Sequence, residues 1–371
     1  MLVAAVGGLA LCVGCSGEHR ILEDGCELTD ERRLAELLGP APHDIVLVGD
    51  GDPTHIAWSE RAGLFSRALE GEAPAARLGA PCDGGLAASA GLLACARRGD
   101  DSKADPGHVA VYDIETSAVR ERVSGVGPDG AGVGLAVDGD ATSVVWNEAR
   151  GTTSAVWLRR EGAEPRRISR DGMRGGRPTA LYELVEAERR LVVAWPETRS
   201  GPSGVEGVLM VQRGERLLDL EPLAYDLSHP SLRAGPDGEA VIVFRDRRPE
   251  RTRPRLFVRR LGRSDHAQDG VHANADGESI AVPCADAVVL VAPRTHSRSE
   301  RLVAVRRHDS ATLAGSGPEH QIYEHGAAFE HADARCVGRD VIIAIASSAS
   351  VERPHGEIGT VRFRCPTPEA E

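Results

Sequence analysis

Short apolar runs recur along the chain, each followed by a charged, Gly/Pro/Ser-containing segment. They read HIAW (55–58), LLAC (92–95), SVVW (143–146), VVAW (192–195), VIVF (241–244), VLVA (289–292) and IIAI (342–345). Runs of this length, bounded by turn residues, predict β-strands. After the polar segment comes a stretch that alternates apolar with charged residues, as in AVWLRR (155–160), RLFVRR (255–260), RLVAVRR (301–307) and TVRFRC (360–365). That period of two suits a strand with one buried face. Ahead of each apolar run lies another short strand that often ends in Asp-Gly, as in GVGLAVDGD (132–140) and PSLRAGPDGEA (230–240), where glycine supplies the positive φ of a tight hairpin. Weaker fourth segments, PRRIS (165–169) and LLDLEPL (217–223), close the unit.

The last residue of each apolar run gives the repeat a ruler: Trp58, Cys95 or Ala96, Trp146, Trp195, Phe244, Ala292, and Ile345 or Ala346, at spacings of about 37 to 53 residues. A period of this size made only of strands is the signature of an all-β propeller with one four-stranded blade per repeat. Seven blades fit, with six as the runner-up. The tryptophans in the ruler slot are expected to pack between blades. The final unit stops at its third strand near Cys365, so a closed ring needs a fourth strand from elsewhere. The segment HRILEDGCEL, ending at Leu28, is the expected donor, which brings Cys26 close to Cys365. Just after it, Thr29-Asp30 followed by ERRLAELL predicts an N-capped short helix stopped by Gly39-Pro40.

The first fifteen residues, MLVAAVGGLALCVGC, are apolar and too short to span a bilayer. They resemble a bacterial lipoprotein signal peptide, which implies cleavage before Cys15 and lipidation of that cysteine. Ser16 resembles the arrangement that permits sorting to the outer membrane. The expected organisation is therefore a signal peptide (1–15), a tether and lead-in (16–43), a propeller (44–365) and a short tail (366–371), in an extracytoplasmic protein anchored in the cell envelope, at the outer membrane or cell surface.

An exported address makes disulfides permissible. Cys26, Cys82, Cys95, Cys284, Cys336 and Cys365 remain after Cys12 and Cys15 are set aside, and six cysteines permit fifteen pairings. Closure of the ring pairs Cys26 with Cys365. Cys284 and Cys336 stand at near-equivalent places in consecutive repeats, which predicts a staple across two blades and leaves Cys82 with Cys95.

With Lys+Arg 44 against Asp+Glu 56 and aromatics at 4%, the chain has neither the basic excess nor the stacking platforms of a nucleic-acid binder. No cofactor motif is present: G-x-S-x-G, H-E-x-x-H and the P-loop are all missing. Glu319-His320, Glu324-His325 and Glu330-His331 are spaced for no common strand face, and the loop SDHAQDGVHANADGES lacks the D-x-D-x-D-G order of a calcium loop. No metal and no cofactor are expected.

The W-x-E-x-R hairpins followed by V-x-R-R strands resemble the repeats of sialidase-like and other six- or seven-bladed propellers of exported bacterial proteins. That resemblance implies the fold only. The S-x-D-x-G-x-x-W box of many sialidases is absent, and no arginine can be matched to their carboxylate-binding triad.

Candidate functional residues then fall on the loops between second and third strands, which are long, polar and unlike one another. The repeated acid and arginine of the hairpins are Glu60/Arg61, Glu148/Arg150, Glu197/Arg199 and Asp246/Arg248. Repetition in every blade points to a structural role, each carboxylate holding its arginine or loop amides. Arg247, Arg251, Arg253 and Arg255 concentrate positive charge on an otherwise acidic chain and are the candidate contacts to an anionic ligand. The expectation is a monomeric binding module for a protein or glycan at the cell surface, touching the membrane only through its lipid. The catalytic alternative is a sialidase-like hydrolase or lyase with its site in the central funnel, for which no catalytic residue can be named.

Overall fold

The computed structural model describes residues 20–22, 25–39, 41–49, 51–100, 105–127, 129–130, 132–201, 204–224, 230–235, 237–246, 255–261, 268–270, 280–284, 287–295, 301–309, 315–322, 328–349 and 355–366. These residues form strands and turns, with no helix among them. Seven antiparallel blades are arranged in a ring. Their inner strands are, in order, Pro42–Val48, Gly85–Ser89, Val133–Asp138, Thr179–Val185, Ser231–Ala234, Ile280–Pro283 and Ala328–Val337. The second strand of each blade carries the apolar run, from His55–Glu60 in blade 1 to Asp340–Ser348 in blade 7, and pairs with the inner strand on one side and the alternating strand on the other.

The core is divided among the junctions between neighbouring blades. Seven clusters of buried side chains fill the seven junctions, including the one between blades 7 and 1 (Leu34, Leu37, Ile45, Leu47, Ile56, Trp58 and Ala346). The ruler side chain always turns to the preceding blade. Trp146 packs on blade 2, Trp195 on blade 3, Phe244 on blade 4 and Trp58 on blade 7. This is why one large side chain recurs at that position.

The ring is closed by the N-terminal segment, but not in the conformation or place expected. Residues 29–38 are not a helix: Glu27–Glu36 is the outer strand of blade 7, paired antiparallel with Glu357–Arg364. The donor lies further along the chain than HRILEDGCEL, and Arg20–Ile21 folds back on Glu27 and Leu28 as a fifth strand. The physical reason is in the register. Bulges between Thr29 and Arg32 and between Arg33 and Ala35 shift the alternation, so that Leu28 is buried in the junction with blade 6 and Leu34 in the junction with blade 1. A helix-like spacing of leucines is thereby used by a bent strand, because pairing and burial across a ring junction outweigh local propensity.

Disulfides join Cys26 to Cys365, Cys82 to Cys95 and Cys284 to Cys336, with Cα separations of 4.1, 5.4 and 5.6 Å. The first locks the two ends of the chain together beside the donor strand. The third ties the inner-strand end of blade 6 to the inner strand of blade 7, and the second ties the entry of blade 2 to its own second strand.

Candidate functional site

The hairpin acids separate into two kinds. Glu197 is fully buried, and its Oε1 accepts hydrogen bonds from Trp195 Nε1 (3.0 Å) and the Arg170 amide (2.8 Å), while Oε2 accepts from Arg170 Nε at 2.7 Å. Glu60 is buried in the same way, with Trp58 Nε1 at 3.4 Å and the Gly39 amide at 2.7 Å. Residues i and i+2 of a strand share a face, so W-x-E sets an indole donor beside its acceptor. In each case the amide belongs to the linker entering the blade. These two acids tie the linkers to their blades, and Arg61 lies exposed.

Blade 3 departs from this pattern. Trp146 Nε1 donates to the Gly125 carbonyl of the linker entering blade 3 (3.3 Å), so that linker is held without the acid, while Asn147 Nδ2 reaches forward to the Gly175 carbonyl of the linker entering blade 4 (2.5 Å). Glu148 is left half-exposed, against the expectation that it holds a hairpin. With Arg150, Arg174, Thr153, Ser154 and Thr198 it lines an open polar groove between blades 3 and 4, on the face where second strands meet third strands. Arg167 lines it too and is ion-paired with Asp171 at 2.8 Å.

Sequence reasoning placed the catalytic alternative in the central funnel but named none of the residues that line it. The inner strands leave a lumen of about 100 Å³, into which five charged side chains project: Asp44, Arg177, Arg233, Asp333 and Arg335. Arg177 of blade 4 reaches Asp44 of blade 1 at 3.0 Å. It crosses blades 2 and 3 at glycines. A Cβ on Gly132 (φ +100°) would overlap the Arg177 side chain, while one on Gly85 would only touch Arg177 and Asp44 but would be strained by its φ of +108°. Asp44 also accepts the amides of Ile45 (2.9 Å) and Leu86 (2.8 Å). Deeper in the channel, Arg233 of blade 5 binds Asp333 of blade 7 at 2.6 Å, and the other oxygen of Asp333 accepts the Leu47 amide at 2.8 Å. Arg335 of blade 7 donates to the Ala88 carbonyl of blade 2 at 3.1 Å. Burial, and then the neighbouring Arg233, lower its pKa to about 10, with Asp333 pulling the other way; the group is still cationic at neutral pH. The available signal was a charged residue inside an otherwise apolar inner strand, as in LRA (232–234) and ADARC (332–336).

A second cavity, of about 180 Å³, lies in blade 7 beside the outer strand of blade 6 and is lined by Leu28, Ile322, Phe329 and Ile345. Arg33 at its rim is ion-paired with Glu357 (3.1 Å) and Glu36 (3.2 Å).

Cys15, Arg247, Arg248, Arg251 and Arg253 lie outside the described residues, as do the side chains of Arg199, Asp246 and Arg255. So do Glu324-His325 and most of the loop SDHAQDGVHANADGES. Glu319-His320 sits on the outer strand of blade 6 and Glu330-His331 on the inner strand of blade 7. Among the described residues no group of three or more His, Cys, Asp or Glu is placed to hold a metal ion.

No protein-family model and no curated protein matches the chain. Solved structures do. The hydrazine synthase of Kuenenia stuttgartiensis is 11% identical with a TM-score of 0.53, covering 87% of this chain and 96% of that one. The Cps50 (Swd1) β-propeller domain of Myceliophteria thermophila is 12% identical with a TM-score of 0.51, covering 89% and 99%. The N10-subtype neuraminidase-like protein of A/little yellow-shouldered bat covers 95% and 100% at 9% identity, but its TM-score of 0.47 is too low to bear on activity. At these identities the likeness establishes the fold alone: the chain is a seven-bladed β-propeller. Its three disulfides are consistent with an extracytoplasmic protein.

Proposed function

We propose that the protein is a lipid-anchored, extracytoplasmic propeller that binds an anionic glycan or an acidic protein patch on the face carrying the loops between second and third strands. The observation that carries this reading is the groove between blades 3 and 4. There Glu148 is released from the framework role that Glu60 and Glu197 perform, beside Arg150, Arg174 and a row of hydroxyls. Guanidinium groups and hydroxyls suit carboxylate- or sulfate-bearing sugars through directed, charge-assisted hydrogen bonds. The arginines of the blade 5 loop, Arg247 to Arg255, offer the same chemistry in the sequence. The apolar leader and Cys15 supply the anchor.

A hydrolase or lyase is the second reading, motivated by the charged channel. The channel carboxylates argue against it. Asp44 and Asp333 each accept a backbone amide and an arginine, so neither is available as a general acid, base or nucleophile.

Binding of the purified protein to an array of anionic and neutral glycans tests the reading. The Arg150→Ser/Arg174→Ser and Arg248→Ser/Arg251→Ser/Arg253→Ser variants should fold normally and lose signal on uronate- or sulfate-bearing glycans. Unchanged binding in both variants would move the site off this face. Cys15→Ser should release the protein from membranes; a wild-type protein that is already soluble with its leader intact would remove the anchor.

A further inference from the structure

The channel charges do not balance. Among the described residues lining the lumen there are three guanidiniums, Arg177, Arg233 and Arg335, and two carboxylates, Asp44 and Asp333. Both carboxylates are occupied as described above. Arg177 and Arg233 each have one of them as a direct partner. Arg335 has a carbonyl, Ala88 O, as its hydrogen-bond partner, which carries no counter-charge. It lies deep in the protein but keeps part of its surface open to the lumen. Close by, Arg233 Nε is buried with no protein partner. Asp333 attracts both Arg335 and Arg233, but one carboxylate offsets only one of the two desolvated guanidiniums. Two guanidiniums near each other add repulsion. Water in the lumen would satisfy hydrogen bonds but would not supply charge.

We infer that the channel is a built site for one small inorganic anion, held between Arg335 and Arg233 and neutralising the third guanidinium. A halide or a tetrahedral oxyanion matches the donors, guanidinium N–H groups of blades 5 and 7 that line one lumen of about 100 Å³, and that volume excludes a sugar. The site is separate from the groove and does not depend on the surface ligand proposed above. Its role follows from its place: Arg233 and Arg335 extend from blades 5 and 7 toward Asp333 and blade 2, so an anion between them would brace the ring from inside.

The test uses the full-length protein exchanged into a gluconate buffer at fixed ionic strength, with thermal unfolding followed as chloride, sulfate or phosphate replaces gluconate. At least one of the three should raise the unfolding midpoint saturably, by about 3 °C at hundredfold excess over its dissociation constant. Arg335→Met should abolish that rise while leaving the surface-groove variant Arg174→Ser fully responsive. No rise with any anion, or a rise undiminished in Arg335→Met, would overturn the inference. Should Arg335→Met not fold, a bromide-soaked crystal of the wild-type protein decides the matter: an anomalous peak in the channel between Arg233 and Arg335 is expected, and a channel without one refutes the site.

Discussion

Blades 3 and 4 carry almost the same hairpin, Trp146-Asn147-Glu148 and Trp195-Pro196-Glu197, and use its acid in opposite ways. In blade 4 the carboxylate is buried and receives the indole, a linker amide and a guanidinium. In blade 3 the indole donates to a linker carbonyl instead, and the carboxylate stays at the rim of a polar groove. A repeat therefore does not assign one role to one position. A residue becomes available for binding where the framework has found another way to close its hydrogen bonds, and the channel follows the same rule in reverse: its carboxylates are occupied, its third arginine is not neutralised.

The largest effect should come from the framework itself. Opening the Cys26–Cys365 bond by replacing both cysteines with serine frees a loop of 339 residues' separation, and chain entropy alone puts the loss near about 5 kcal/mol. Chemical denaturation of the oxidised protein and the double variant measures it; a loss below about 1 kcal/mol would mean that pairing of Glu27–Glu36 with Glu357–Arg364 closes the ring unaided. Glu197→Ala strips a buried indole and a buried amide of their acceptor and should cost about 3 kcal/mol. The same change at Glu148 should cost within about 0.5 kcal/mol, and equal losses at the two positions would erase the distinction drawn between the blades.

Gly132→Ala places a methyl group against Arg177 at a φ of +100°. It should destabilise by about 2 kcal/mol, and more than Gly125→Ala, whose Cβ would meet nothing within 4 Å at a comparable φ of +108°. Unfolding midpoints of the two variants give the comparison, and an equal cost would show that the Arg177 crossing is not what requires glycine.

The pH dependence should be smaller and acidic. Asp340, at the hairpin of blade 7, accepts hydrogen bonds from Arg364 and Arg362, and these hold its carboxyl below the ordinary 3.8. A depressed carboxylate pKa means that its contribution is complete above about pH 4 and is lost as pH falls through the folded-state value. Acid titration of stability should therefore be flatter below pH 4 in Asp340→Asn than in the wild type. The smallest effect on stability and the clearest on binding belongs to the groove, where Glu148→Gln and Arg174→Ser should leave the midpoint unchanged and alter glycan retention.

Much of the ring was legible in one dimension. The apolar runs, their spacing and the Asp-Gly turns carry a period, and a period of strands determines blades; the ruler tryptophans follow because each fills one junction with the preceding blade. Candidate disulfide partners were legible for the same reason, since equivalent places in adjacent repeats meet in space and the missing last strand demands the N-terminal segment. The segment 29–38 was misread because its leucines are spaced as a helix would have them, and only the ring junction with its two bulges makes a strand of them.

The channel belongs to the tertiary structure. Arg177 and Asp44 are 133 residues apart, Arg233 and Asp333 100, Arg335 and Ala88 247, and each arginine passes over at least one intervening blade. Strand periodicity says which side chains face the lumen, but not which opposite blade they reach. That depends on how many blades close the ring, how far each inner strand is staggered, and where glycines leave room for a side chain to cross. The amino-acid sequence by itself determined the repeat of strands and the side chains that fill its junctions; the number of blades in the ring, the pairing of its cysteines and the balance of charge at the centre were decided only when seven inner strands were brought within one side chain's length of each other.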